Sequence, residues 1–239
     1  RWRSMLTDVR IISSWRAYLF RGDDIRLSML TTPQVMEALD TAFNAEELSI
    51  QTPPSLFRRH RLTNPPGLVL SHGSWVGPDE EGVPVRAIHA SADQIVISIA
   101  GPSKYIDLIY DRLVTVVNQI PAPDGGSIIG HPVETKDRSV VSFRLQGLTE
   151  LLRPPALMSA VKTVSGLKGD LVTAVRFVPW PGSEDYDVDP TLRHREFALE
   201  PLSGWPPELG AFRSIAPLPS DEHLSYLELL SQHIREDRS

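Results

Sequence analysis

The chain has 239 residues, a net charge of −6 and no cysteine. That length suits one large domain or two small ones and is ample for a hydrophobic core. The missing cysteine excludes disulfides, thiolate nucleophiles, iron–sulfur clusters and Cys-ligated zinc, and the negative charge works against a general polyanion-binding role.

The opening "RWRSMLTDVR" has no apolar h-region, so it reads as no secretory signal. "DVRIISSWRAYLF" mixes β-branched and aromatic residues, which predicts a bent strand or two short strands over Val9–Phe20. "RGDD" then turns the chain; without a secretion signal, its Arg-Gly-Asp triplet is read as a turn and not as an adhesion motif. Thr32 and Pro33 suit an N-cap and first helical residue, and Val35, Met36, Leu39 and Phe43 follow at helical spacing. Residues 44–66 lose periodicity and hold Pro53, Pro54, Pro65 and Pro66, which predicts a long loop.

"GLVLSHGSW" (67–75), "VPVRAIHAS" (83–91) and "QIVISIA" (94–100) predict three strands, the last two joined by a turn at 91–93. A helix follows to about Gln119. Its apolar stripe is Ile106, Ile109, Tyr110, Leu113, Val117 and Ile120, with Lys104, Asp107, Asp111 and Arg112 facing out. Further strands are predicted over 138–145, 170–180, 194–200 and 212–216, and a helical set over Ala156–Val164. Ser220 suits the cap of a last helix, with Asp221 and Glu222 in its first turn. Leu224, Tyr226, Leu227, Leu230 and Ile234 are its expected buried face.

Strands and helices alternate without a steady βαβ rhythm. The expected fold is therefore α+β, a mainly antiparallel sheet with helices packed on one face. Residues 83–179 read β-β-α-β-α-β, the order of a ferredoxin-like element. The expected organisation is a single domain over 1–239, with an N-terminal subregion 1–66 and a core 67–239.

The most suggestive chemistry is "GSEDYDVDPTLRHREF", residues 182–197. Asp185, Asp187, Asp189 and Glu196 fall at positions 1, 3, 5 and 12 of a calcium-loop count. Position 6 is Pro190, whose fixed φ cannot make the sharp glycine turn, and the flanks read as strands. That argues against an EF-hand and leaves three readings: a looser site for a hard divalent cation, a solvated acidic loop, or a docking surface for a basic partner such as the chain's own 58–61 run. The opposite charge gathers in Arg58, Arg59, His60 and Arg61, after Phe57. An aromatic beside three arginines can stack a base and hold phosphates; a plain surface loop has the same composition.

The seven histidines form neither H-E-x-x-H nor H-x-H, so no recognised zinc motif is present. There is no G-x-S-x-G elbow, no P-loop and no G-x-G-x-x-G, and no cofactor is expected. All but four of the 24 basic residues are arginine. Arginine suits interfaces, although biased codon usage produces the same skew. Trp180 and Trp205 each precede a proline, as packed corners or as exposed anchors.

The leading expectation is a cytoplasmic, non-catalytic binding module or subunit of a larger assembly, acting through surface loops containing Arg, Pro and Trp. Its partner is a protein or a second copy of the chain, not a membrane. The alternatives are a divalent-metal-dependent hydrolase using loop 184–196 and a nucleic-acid contact through loop 57–61.

Overall fold

A computed structural model describes residues 6–51, 67–77, 82–145, 148, 175–177, 197–202 and 209–236. They form an α+β fold in which every described strand pairing is antiparallel. The chain divides into two compact units, a central one (Ser13–Asp137) and a terminal one (Arg1–Ile12 with Arg138–Ser239).

The central unit holds strands in the order β2 (Glu47–Gln51), β3 (Gly67–Val76), β4 (Gly82–Ala90), β5 (Gln94–Ile99), then β1, which spans Leu6–Leu19 and reaches this unit at Ser13. Its helices are α1 (Leu27–Leu30), α2 (Pro33–Phe43) and α3 (Lys104–Asn118). Alternation explains the strands: Ile95, Ile97 and Ile99 of β5 are fully buried while their neighbours are not. Each such side chain contributes about 1.5–3 kcal/mol by leaving water. The same core takes Val35, Leu39 and Phe43 from α2 and Ile106, Ile109, Leu113 and Val117 from α3, at helical spacing.

Two details depart from the sequence reading. First, the stretch expected to be loop from residue 44 contains β2, paired with β3 from Glu47↔Ser71 to Gln51↔Gly67. Only Leu48 and Ile50 carry its alternation, too little for a sequence pattern. Second, β4 changes phase. Its register with β5 shifts between Val85 and Ala87, leaving Arg86 as a bulge. Val83 and Val85 are buried before it and Ile88 and Ala90 after it.

Beyond α3, Asn118 fastens the helix end to the next segment. Its Oδ1 accepts from the amides of Ile128 and Ile129 at 2.9 Å each, and its Nδ2 donates to the Ile129 carbonyl at 2.9 Å.

The terminal unit holds β6 (Glu134–Leu145, entering this unit at Arg138), β9 (Ala211–Ala216), β8 (Phe197–Pro201) and β7 (Val175–Phe177), adjacent in that order. Helix α4 (Ser220–Glu236) supplies Leu227 and Ile234 to a core with Val141, Phe143, Leu145, Leu199 and Phe212. Ser220 already lies inside the helix, and the His223 amide donates to the Pro219 carbonyl at 3.0 Å. The buried stripe is His223, Leu227, Ser231 and Ile234. This corrects the expected face: Tyr226 is 57% exposed, and Leu224 and Leu230 are only partly buried. Tyr226 sits one 100° step behind Leu227, so a stripe centred on Leu227 turns it to solvent. The helical set expected over 156–164 lies outside the described residues.

Candidate functional site

Both sites expected from the sequence, the acidic Asp185, Asp187, Asp189 and Glu196 and the basic Arg58, Arg59, His60 and Arg61, lie outside the described residues. Among the described residues, no three His, Asp or Glu side chains are gathered as metal ligands. No described helix is long and apolar enough to cross a membrane. Two built polar constellations stand out among the described residues, one in each unit.

The first centres on Arg16 of β1. Its Nη1 donates to Asp107 Oδ1 at 2.5 Å and its Nε to Asp137 Oδ1 at 2.7 Å. Tyr18 Oη donates to the same Asp107 oxygen at 2.8 Å, and its ring stacks on Tyr110 with centroids 3.9 Å apart. One guanidinium thus joins β1 to the first turn of α3 and to the start of β6. Desolvation of Asp107 opposes ionisation, but the bonds from Arg16 and Tyr18 and the guanidinium charge outweigh it and hold the carboxyl below its ordinary value. Burial, then the Asp107 carboxylate, push the Tyr18 phenol up, so it stays a donor. Burial and the nearby Asp111 push Tyr110 up to about 12. Arg16 is already saturated by two carboxylates and Tyr18 by one. The group is a cross-link with no base or nucleophile poised for chemistry.

The second lies in the terminal unit. His223 is fully buried, with one ring nitrogen 2.8 Å from Ser139 Oγ and the other 2.8 Å from Ser214 Oγ. Both serines are also fully buried, and the Phe197 ring meets the imidazole edge-on at 6.2 Å. A neutral imidazole has one donor and one acceptor nitrogen, so one serine accepts and the other donates. Burial lowers the His223 pKa to about 4, which keeps the ring neutral. A serine beside a histidine suggests an activated nucleophile, but catalysis needs substrate access and a group orienting the base. Here the second ring nitrogen is held by another serine, and all three side chains are sealed. The pair of bonds pins α4 onto β6 and β9.

The sequence reading passed over His223. Its signal was positional: it lies four residues before Leu227 and eleven before Ile234, on their face.

The Arg21-Gly22-Asp23 triplet does form a turn, closed by the Asp24 amide on the Arg21 carbonyl at 2.9 Å. It borders an open cleft of about 520 Å³ between residues 22–29 and Pro123–Asp124. Arg26 is ion-paired with Asp124 there, so the cleft offers no unbalanced charge to an anion. His72 stands exposed on β3 with a left-handed backbone (φ 53°), and His131 and His233 are also exposed. None of these shares a site with another described histidine.

No protein-family model matches the chain, and no curated protein matches its sequence.

Proposed function

We propose that the chain is a non-catalytic binding module or a subunit of a larger assembly. The observation that carries this reading is the outward face of α4. Tyr226 and Leu229, one turn apart, are 57% and 51% exposed on a helix whose other face is fully committed to the core. Exposed tyrosine and leucine at i, i+3 form an apolar stripe, and tyrosine is enriched among residues that anchor interfaces. Loops containing Arg, Pro and Trp extend the contact in this reading. The test is co-purification from the native source with and without Tyr226→Ala. Loss of a bound protein in the variant, at unchanged melting temperature, supports the reading; the same bare chain in both preparations contradicts it.

The finer architecture, helices on one face with a ferredoxin-like element in 83–179, draws support from the order β4-β5-α3-β6 and from the core shared by β3–β5, α2 and α3.

One sequence pattern favours a second reading, a hydrolase with a divalent ion on Asp185, Asp187, Asp189 and Glu196. Thermal stabilisation by Ca²⁺, Mg²⁺ or Mn²⁺ that Asp187→Ala abolishes would establish that site, and no stabilisation by any of the three would end it. The nucleic-acid reading of Arg58, Arg59, His60 and Arg61 ends if replacing the three arginines by alanine leaves RNA and DNA binding unchanged at low salt.

A further inference from the structure

We propose that the Ser139–His223–Ser214 bridge is an acid-operated latch: protonation of His223 frees α4 from β6 and β9 while the rest of the chain stays folded. The latch is independent of what the outward face of α4 binds.

α4 is thinly anchored. Of its described residues, only Leu227 and Ile234 are buried apolar side chains, and Ser220, His223 and Ser231 are buried polar ones. The shorter α3 buries Tyr105, Ile106, Ile109, Leu113, Val116 and Val117. An element with few buried apolar contacts lies at the low-stability end of a fold and opens locally. The first turns of α4 therefore depend on His223, whose two ring nitrogens are each 2.8 Å from a serine oxygen, Ser139 Oγ of β6 and Ser214 Oγ of β9.

This bridge suits one protonation state. A neutral ring donates once and accepts once, as the two hydroxyls allow. An imidazolium has two donors and a charge, and a buried charge without a counter-charge is costly. The described elements around the ring supply none. β6, β9 and β8 turn Ser139, Ser214 and Phe197 toward it. Strand alternation puts Arg138, Arg213 and Glu200 on the opposite face, where Arg213 and Glu200 pair at 2.8 Å. On β1, Asp8 and Arg10 are exposed, and Asp8 pairs with Arg144 at 3.1 Å. On α4 itself, Asp221 and Glu222 are exposed, and the positive end of the helix dipole opposes a further positive charge. Burial, not a neighbouring charge, thus sets the titration of the ring. A protonated ring gains most by reaching water, and it reaches water when the start of α4 lifts.

Hydrogen exchange on the full chain at pH 7 and pH 4.5 tests this, read as protection factors so that the intrinsic pH dependence of exchange divides out. Protection of the α4 amides is expected to fall about fiftyfold, as a ring of pKa 6.5 in the open state and about 4 in the closed state requires. Low urea leaves the α4 rates nearly unchanged, because a local opening exposes little surface. In His223→Gln, which is neutral at both pH values, the fall disappears. Unchanged α4 protection at pH 4.5 overturns the proposal. So does a fall that steepens with urea, which means that α4 opens only when the whole chain unfolds, or one that His223→Gln retains. Should that variant not fold, the His223 ring is titrated by NMR in the unsubstituted chain. Loss of α4 protection that follows the ring's own protonation supports the latch, and loss that does not follow it overturns the latch.

Discussion

At the scale of single residues, the two polar constellations make opposite predictions about charge. His223 is neutral in the fold, with its pKa lowered from the ordinary 6.5 to about 4 by burial. The unfolded chain therefore binds a proton that the folded chain refuses between those two values. Stability is full above about pH 6.5, falls as pH drops through this window, and levels off below about pH 4, for a total of roughly 3 kcal/mol. Protonation also turns both ring nitrogens into donors, which forces Ser139 and Ser214 both to accept. Thermal melts of the chain and of His223→Gln, taken from pH 7 to pH 4, isolate this term. The variant starts less stable and declines less steeply; parallel curves would show that the buried imidazole is not the titrating group. Arg16 behaves differently because it is never neutral. Its side chain is 14% exposed and that of Asp137 15%, so Arg16→Met strands a buried carboxylate and costs about 2–4 kcal/mol. Asp107 is 59% exposed, and Asp107→Asn keeps an acceptor for Tyr18, so it costs under about 1 kcal/mol. Denaturant midpoints of the two variants check the order.

At the scale of elements, what the sequence reveals depends on how many residues repeat a pattern. β5 alternates over its whole length, and α3 presents a long apolar stripe; both are legible because local period and burial coincide. The bulge at Arg86 is not legible, since it exists only in the register between β4 and β5. β2 is hidden for a related reason: five residues paired with β3 leave little pattern to read. In α4 the helix was legible but its face was not, because Tyr226 is apolar enough to suggest burial and His223 polar enough to suggest exposure. Glycines give a direct test of strand packing. A Cβ on Gly67 would stand 2.3 Å from the Ala90 carbonyl oxygen of β4, whereas one on Gly82 meets nothing within 4 Å. Gly67→Ala must push two backbones apart, at about 1–3 kcal/mol. Gly82→Ala is neutral or stabilises by up to about 1 kcal/mol, through the unfolded chain. Equal melting temperatures for the two variants would contradict the β3–β4 register.

At the scale of the whole molecule, the α+β class and the antiparallel pairing followed from the order of elements. Function was far less legible. The acidic and basic runs stand out in the sequence by composition alone, and composition does not fix ligand geometry. The buried Ser139–His223–Ser214 bridge and the Arg16 cross-link join residues far apart in the chain, so no local motif announces them. Both account for polar groups in the interior without assigning them catalysis. The exposed Tyr226 and Leu229 of α4 are the feature that burial leaves unexplained, and the proposed association would cover them.

The most direct measurement is native mass spectrometry of the chain, purified gently and without chelator from its own cells. The account predicts a mass above that of one chain, either two copies or a copy with a protein partner. A bare monomer carrying one stoichiometric divalent ion would contradict it and move the function to Asp185, Asp187, Asp189 and Glu196.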